Sequence, residues 1–254
     1  MKNSRKILLT GGTGMVGHSI LENSASSSWE IISPTRSNLN LSNYYDLVDY
    51  INDIKPEFII HAAGHVGGIS ANISNPVNFL INNFEIGKNL ILAANRVGVK
   101  KLLNLGASCM YPRNALNPLK EEMILKGELE PTNEAYALAK ISIAKLCSYI
   151  SQEDSEFKYK TIVPCNLYGR YDKFDPVNSH LIPAIIDKLH NAIMNDISVV
   201  EIWGDGNARR EFMYAQDLAD AVFYALNNFE TMPSILNIGP GEDFSINDYY
   251  LIVA

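Results

Sequence analysis

Between Lys6 and Val99 the sequence alternates short apolar runs with longer amphipathic ones: KILLT, MVGHSILENS, EIIS, YYDLVDYIND, EFIIHAA and VNFLINNFEIGKNLILAANRVG. A short strand followed by a helix, repeated in this way, predicts an α/β chain with a parallel sheet and helices on both faces. KKLLNLGAS continues as a strand, and NEAYALAKISIAKLCSYIS as a long helix with apolar residues at helical period. YKTIVPCNLYG reads as one more strand entering a loop. From about Tyr168 the texture changes. Pro176, Pro183, the helix-like LIPAIIDKLHNAIM and a short strand VVEIWGDG predict a small appended lobe. DLADAVFYALNN and the strand SILNIG then resume the doubly wound pattern. Ser24 to Ser28 reads as a loop, and FSINDYYLIVA as the opening turns of a helix, so the lobe is expected to be truncated.

The first strand runs directly into Gly11-Gly12-Thr13-Gly14-Met15-Val16-Gly17, which opens a helix. Glycines at 11, 14 and 17 permit a tight turn, close backbone approach to a pyrophosphate and close helix packing, and the helix N-terminus favours negative charge. Strand, spacing and helix together predict a Rossmann-type dinucleotide site. After the second strand, Arg36 stands where an NAD-preferring protein usually has a carboxylate, and a guanidinium there can pair with a 2′-phosphate, favouring NADP(H). The expected organisation is an NADP-binding domain over 1–165, completed by about 212–240. The substrate lobe takes 166–211 and 241–254.

Composition narrows the remaining classes. A formal charge of −7 with no basic block argues against binding a nucleic-acid backbone or an anionic membrane surface. Cys109, Cys147 and Cys165 are an odd set without metal spacing, which suits a reducing, cytoplasmic setting and no metal. Ile7 to Leu9 is too short for a signal-peptide core.

Tyr136 and Lys140 lie four residues apart, on one face of the predicted helix. An ammonium beside the phenol is expected to lower the tyrosine pKa and make it a proton donor and acceptor near neutral pH. Such a pair is common in isolation, where a core tyrosine with a surface lysine is the ordinary meaning. Here it follows the glycine unit and a strand ending in GASCMYP, and the combination resembles the extended short-chain dehydrogenase/reductases. HVGGISAN, LGASCMYP, GELEPTNEAYALAKI, PCNLYGRYDKF, NSHLIPA and RREF, spread over nearly the whole chain, resemble the GDP-L-fucose synthase family.

That resemblance implies epimerisation at C3 and C5 of a GDP-linked 4-keto-6-deoxyhexose followed by NADPH-dependent reduction at C4. It casts Cys109 and His180 as the acid/base pair on either side of the sugar, Tyr136 as proton donor to the C4 oxygen, and Lys140 as support for phenol and nicotinamide ribose. Both acid/base groups are suitable because modest environmental shifts bring a thiol or an imidazole near neutral pH. The resemblance also implies cofactor contacts from Ala62, Ala63, Pro164, Asn166, Leu167 and His180, and substrate contacts from Ser108, Cys109, Asn166, Lys188, Trp203 and Arg210. Trp203 could equally be a core residue of the lobe. Relatives pair the helix at 133–152 with the one from Val77, implying a homodimer.

Two positions depart from the family pattern. Ala107 stands where a hydroxyl normally donates to the C4 oxygen, and Thr13 where some members carry a basic residue. The loss of a preorganised donor costs about 2.7–4 kcal/mol of transition-state stabilisation unless Ser108 or water replaces it. The alternatives to an epimerase-reductase are therefore an epimerase with weak reduction, or a non-catalytic dinucleotide-binding protein.

Overall fold

The computed structural model describes residues 5–174, 179–202 and 204–254. In chain order the elements are β1 (Lys6–Thr10), α1 (Met15–Glu22), β2 (Glu30–Ile32), α2 (Tyr44–Ile54), β3 (Phe58–His61), α3 (Ile69–Ser74), α4 (Pro76–Val97), β4 (Lys101–Leu105) and α5 (Glu134–Glu153). They continue with β5 (Lys158–Pro164), β6 (Asn166–Tyr168), α6 (Leu181–Met194), β7 (Arg209–Arg210), β8 (Phe212–Tyr214), α7 (Ala215–Asn227), β9 (Ile235–Ile238), β10 (Phe244–Ser245) and α8 (Ile246–Val253).

The main sheet has the order β2-β1-β3-β4-β5-β9 and is parallel throughout. Strand residues alternate between two cores, as a pleat of period two requires. Ile7, Leu9, Phe58, Ile60 and Leu103 face α1 and α7 through Ile20, Leu218 and Val222. Leu8, Ile59 and Leu102 face the opposite side, against Leu47, Ile51, Leu90 and Ile143 from α2, α4 and α5. The chain leaves β1 for β2 on one side and returns to β3 on the other, which opens a crevice at the carboxyl ends of β1 and β3.

Beyond the sheet, β6 pairs with β8 and β10 with β7. Ile182 and Ile185 of α6 pack with Tyr249 of α8 in a smaller apolar cluster. Three local expectations differ from the structure. Ser24–Ser28 winds into a 3-10 turn, held by the Asn23 side chain accepting from the Ala25 amide. The single strand expected over YKTIVPCNLYG is two, because β5 pairs with β9 whereas β6 leaves the sheet to pair with β8. The strand expected at VVEIWGDG does not form over its described residues, and Val199 is 78% exposed, so no apolar face is there to be buried. Among the described residues no helix is long and apolar enough to cross a membrane.

Candidate active site

At the crevice, the turn from β1 into α1 is built by backbone proximity. Gly11 has φ +81, and a Cβ there would stand 2.6 Å from the Ala62 carbonyl carbon and the Ala63 amide nitrogen. Only glycine combines that left-handed conformation with so close an approach. A Cβ on Gly17 would lie 2.2 Å from the Gly11 carbonyl oxygen, so α1 packs directly on the turn. Gly14, the N-cap of α1, is exposed together with Thr13, while Met15 and Val16 are half-buried. The Gly14 amide donates to the Gly11 carbonyl at 3.0 Å and closes the loop. The helix dipole thus points at an open face, which suits a pyrophosphate.

Arg36 is exposed beyond β2, at the mouth of an open depression of about 580 Å³ that Asp46, Asp49 and Asp53 also line. Three carboxylates make that depression a poor seat for phosphate, so the Gly14 end of α1 is the stronger anion site.

Tyr136, Lys140 and Cys109 come together from α5 and from the 3-10 turn Ser108–Met110 that follows β4. The Lys140 ammonium is buried, donates to the Leu105 carbonyl at 2.9 Å, and stands 5.8 Å from the centroid of the Tyr136 ring. Burial lowers the Lys140 pKa to about 8, against a smaller upward pull from Cys109. The Cys109 thiol is pushed up to about 12 by burial, with Lys140 opposing. Burial, with Cys109 adding to it, also drives the Tyr136 phenol well above the ordinary tyrosine value.

These directions correct the expectation of a tyrosine with a lowered pKa and a thiol near neutral pH. Desolvation outweighs the Lys140 ammonium at the thiol and dominates at the phenol, and Lys140 is turned toward a carbonyl, so phenol and thiol are both held protonated.

His180 is the N-cap residue of α6. Its Nδ1 lies 3.7 Å from Oδ1 of Asp172, and its side chain is 45% exposed. No hydrogen bond or ion pair joins it to Cys109 or Tyr136 among the described residues, so a ligand must stand between them for the three to act together.

Of the remaining expected contacts, Pro164 is buried at the end of β5, and Leu167 packs on the core beside Met213. The Asn166 amide donates to the Glu211 carbonyl at 2.9 Å, which ties β6 to the approach of β8. Lys188 donates to the Glu201 carbonyl. Arg210 is exposed, with Nη1 donating to the Arg209 carbonyl at 2.7 Å, and Tyr249 donates to the Arg210 carbonyl at 2.8 Å. Ser108 is half-buried in the turn that carries Cys109. Trp203 lies outside the described residues. Among the described residues no group of three or more His, Cys, Asp or Glu side chains could hold a metal ion.

Sequence reasoning missed two features. His61 is buried at the end of β3, with Nδ1 2.8 Å from the Thr10 hydroxyl; burial first, and then Lys140, depress its pKa to about 3. The other is Asp172, in the loop after β6. Neither carries a spacing signal, since each pair joins segments that are brought together only by the fold.

Comparisons with known proteins bear on this constellation. The model of the NAD dependent epimerase/dehydratase family matches residues 7–239. GDP-L-colitose synthase of Yersinia pseudotuberculosis is 58% identical over 249 residues, covering 98% of this chain and 81% of that protein. GDP-L-fucose synthase of Azorhizobium caulinodans is 48% identical over 254 residues, covering 100% of this chain and 81% of that one. Among solved structures, MlghC, a GDP-mannoheptose C4 reductase from Campylobacter jejuni with NADP bound, superposes with a TM-score of 0.89 at 31% identity, over 100% of this chain and 85% of that chain.

Proposed function

The chain belongs to the NAD dependent epimerase/dehydratase family, and from that premise we propose that it is an NADPH-dependent epimerase and reductase of a GDP-linked 4-keto-deoxyhexose. The observation that carries this reading is the grouping of half-buried Cys109 and Tyr136 around the buried Lys140. The residues present fit the cofactor: the exposed Gly14 end of α1 would take the pyrophosphate, Ala62 and Ala63 beside Gly11 would border it, and Arg36, exposed beyond β2, would be the cation for a 2′-phosphate, weakened by the carboxylates around it. NADPH, when bound, supplies the hydride for C4.

The chain's own side chains handle protons. A ketone at C4 acidifies the hydrogens at C3 and C5, and each inversion removes one from one face and returns one to the other. His180, with its exposed imidazole, is the base that removes it. Cys109, held protonated by burial, is the acid that returns one. The thiolate left behind lies within the field of Lys140, which opposes the rise in the thiol's pKa and so stabilises that charge. Tyr136, its proton retained by burial, donates it to the C4 oxygen as the ketone is reduced. We assign the diphosphate to Arg210, exposed on β7, and to Lys188, which would exchange their backbone carbonyl acceptors for phosphate oxygens. The lobe over 166–211 and 241–254 supplies these groups, and the domain over 1–165 and about 212–240 holds the cofactor.

Ala107 favours a second reading, epimerisation with slow reduction, because its methyl group offers the C4 oxygen no hydrogen bond. The two separate on incubation with GDP-4-keto-6-deoxy-D-mannose and NADPH. Loss of NADPH absorbance together with a reduced, inverted hexose identifies the epimerase-reductase, and an inverted hexose without NADPH loss identifies the epimerase. Neither result leaves a dinucleotide binder. Parallel assays with the 3-deoxy ketosugar and with a GDP-linked ketoheptose assign the sugar.

We also place the protein in the cytoplasm, which its three free cysteines support, and infer a homodimer across α4 and α5. Phe84, Leu92, Leu138 and Tyr149 lie along a shallow groove of about 470 Å³ there, with Val77 71% exposed on the same helix as Phe84 and Leu92. A monomeric mass in solution would reject that interface.

A further inference from the structure

We infer that Asp172 is the positioning residue that sets the tautomer and direction of the His180 imidazole. The inference rests on the acid/base reading of His180 given above and adds a residue to it.

Asp172 is held by α1. The Gly169 that opens its loop lies against α1 and α7, where a Cβ would stand 3.1 Å from the Ala215 Cβ and 3.5 Å from the Met15 sulfur. Two residues on, the Tyr171 ring stacks on His18 with centroids 4.4 Å apart, and its hydroxyl donates to the Glu22 carboxylate. The Asp172 amide then closes the turn onto the Gly169 carbonyl at 3.1 Å. Its carboxylate is thereby fixed relative to the helix whose N-terminus faces the cofactor.

The carboxylate itself is incompletely satisfied. Its side chain is 7% exposed; Oδ1 accepts from the Lys173 amide at 2.8 Å, and Oδ2 is buried with no hydrogen-bond partner among the described residues. A buried carboxylate oxygen without a donor is costly and calls for a partner. The imidazole beside the carboxylate is that of His180, whose Nδ1 stands 3.7 Å from Oδ1, the other oxygen of the same group. That separation is beyond a hydrogen bond and within ion-pair range, and contacts of this kind shorten when a substrate closes the site.

The consequence is a defined proton arrangement. Asp172 accepts the Nδ1–H of His180, which leaves the Nε2 lone pair free for a hydrogen alpha to the ketone. When Nε2 takes that proton, the imidazolium lies against the Asp172 carboxylate. Without Asp172, an imidazole that is 45% exposed samples both tautomers and several rotamers.

The test uses the full chain, with ¹⁵N-labelled imidazoles and solvent-deuterium exchange into GDP-4-keto-6-deoxy-D-mannose. In the unaltered protein the His180 nitrogens are expected to report the Nδ1–H tautomer. Asp172→Asn presents an amide donor instead, and is expected to move the imidazole to Nε2–H and lower kcat for exchange by about 10²–10⁴-fold, with KM and NADPH affinity within about threefold. Asp172→Glu is expected to restore at least a tenth of the exchange. An Nε2–H tautomer in the unaltered protein, or exchange by Asp172→Asn within threefold of it, overturns the inference. If Asp172→Asn does not fold, the tautomer of the unaltered protein decides alone. Absence of exchange in the unaltered protein would instead remove the acid/base reading of His180, and the tautomer would still report whether Asp172 governs the ring.

Discussion

The two sides of the cleft are built on different terms. On the sheet side, Cys109 and Tyr136 are half-buried beside the buried Lys140, their protons governed by desolvation and one another, and Gly11 and Gly17 leave no room for an added atom. On the α6 side, His180 and Arg210 stand largely in solvent, and Lys188 and Arg210 donate to backbone carbonyls that water can replace. The first side stores its chemistry in a rigid, dry arrangement. The second is set by whatever ligand draws it in, with Asp172 as its fixed point.

Substitutions on the two sides should therefore fail differently. The largest effect is expected for Tyr136→Phe, which removes the proposed proton donor: NADPH oxidation should fall by about 10²–10⁴-fold in a stopped-flow assay, while NADPH affinity stays within a few-fold. An equal loss of cofactor affinity would mean that the phenol is structural. Gly17→Ala comes next. Its methyl group would meet the Gly11 carbonyl oxygen at 2.2 Å and Gly12 Cα at 2.4 Å, and overpacking of this kind costs about 1–3 kcal/mol in urea unfolding, with NADPH binding lost as well. Arg210→Ala, on the open side, should leave stability within about 0.5 kcal/mol and act through KM for the GDP-sugar. If it destabilises the protein as much as Gly17→Ala, the contrast fails.

His61 gives the dry side a pH signature. Its pKa is about 3 in the folded protein against an ordinary 6.5, so between those values the unfolded chain carries one more proton. Stability then rises with pH across that window and is lost as pH falls from 6.5 toward 3, by up to about 1.4 kcal/mol per pH unit from this group. Urea unfolding of the unaltered protein and of His61→Gln should differ in slope there, and parallel slopes would show that the imidazole is not isolated from water. The smallest effect is expected for Arg36→Ala. An exposed pair contributes about 0–1 kcal/mol, so NADPH affinity should fall by no more than about fivefold, with NADH affinity unchanged.

The same division explains what the sequence made legible. Strand and helix periods identified the sheet and its two faces, because β1, β3 and β4 bury every second residue on opposite sides. The spacing of Tyr136 and Lys140 identified their shared helix face. Their proton affinities were not legible, because the depth of burial that lifts Tyr136 and Cys109 belongs to the tertiary packing and reverses the effect expected from a neighbouring ammonium. Around α6 the reading was poorer. The break at Cys165 comes from a change of pairing partner that no local pattern marks. Val199 and its neighbours had a strand-like composition and no surface to cover. Asp172 meets His180 only because Gly169 and Tyr171 are clamped to α1.

The central claim is that a half-buried thiol and an exposed imidazole close on one ketosugar from opposite sides. It is tested most directly by mass and NMR analysis of GDP-4-keto-6-deoxy-D-mannose after incubation in deuterated water without NADPH, with the unaltered protein, Cys109→Ser and His180→Gln. Deuterium at both C3 and C5 with the unaltered protein, loss of label by at least a hundredfold with His180→Gln, and loss of the inverted sugar by at least a hundredfold with Cys109→Ser, is the expected result. Label that persists in both variants, or that never enters the sugar, would contradict the account.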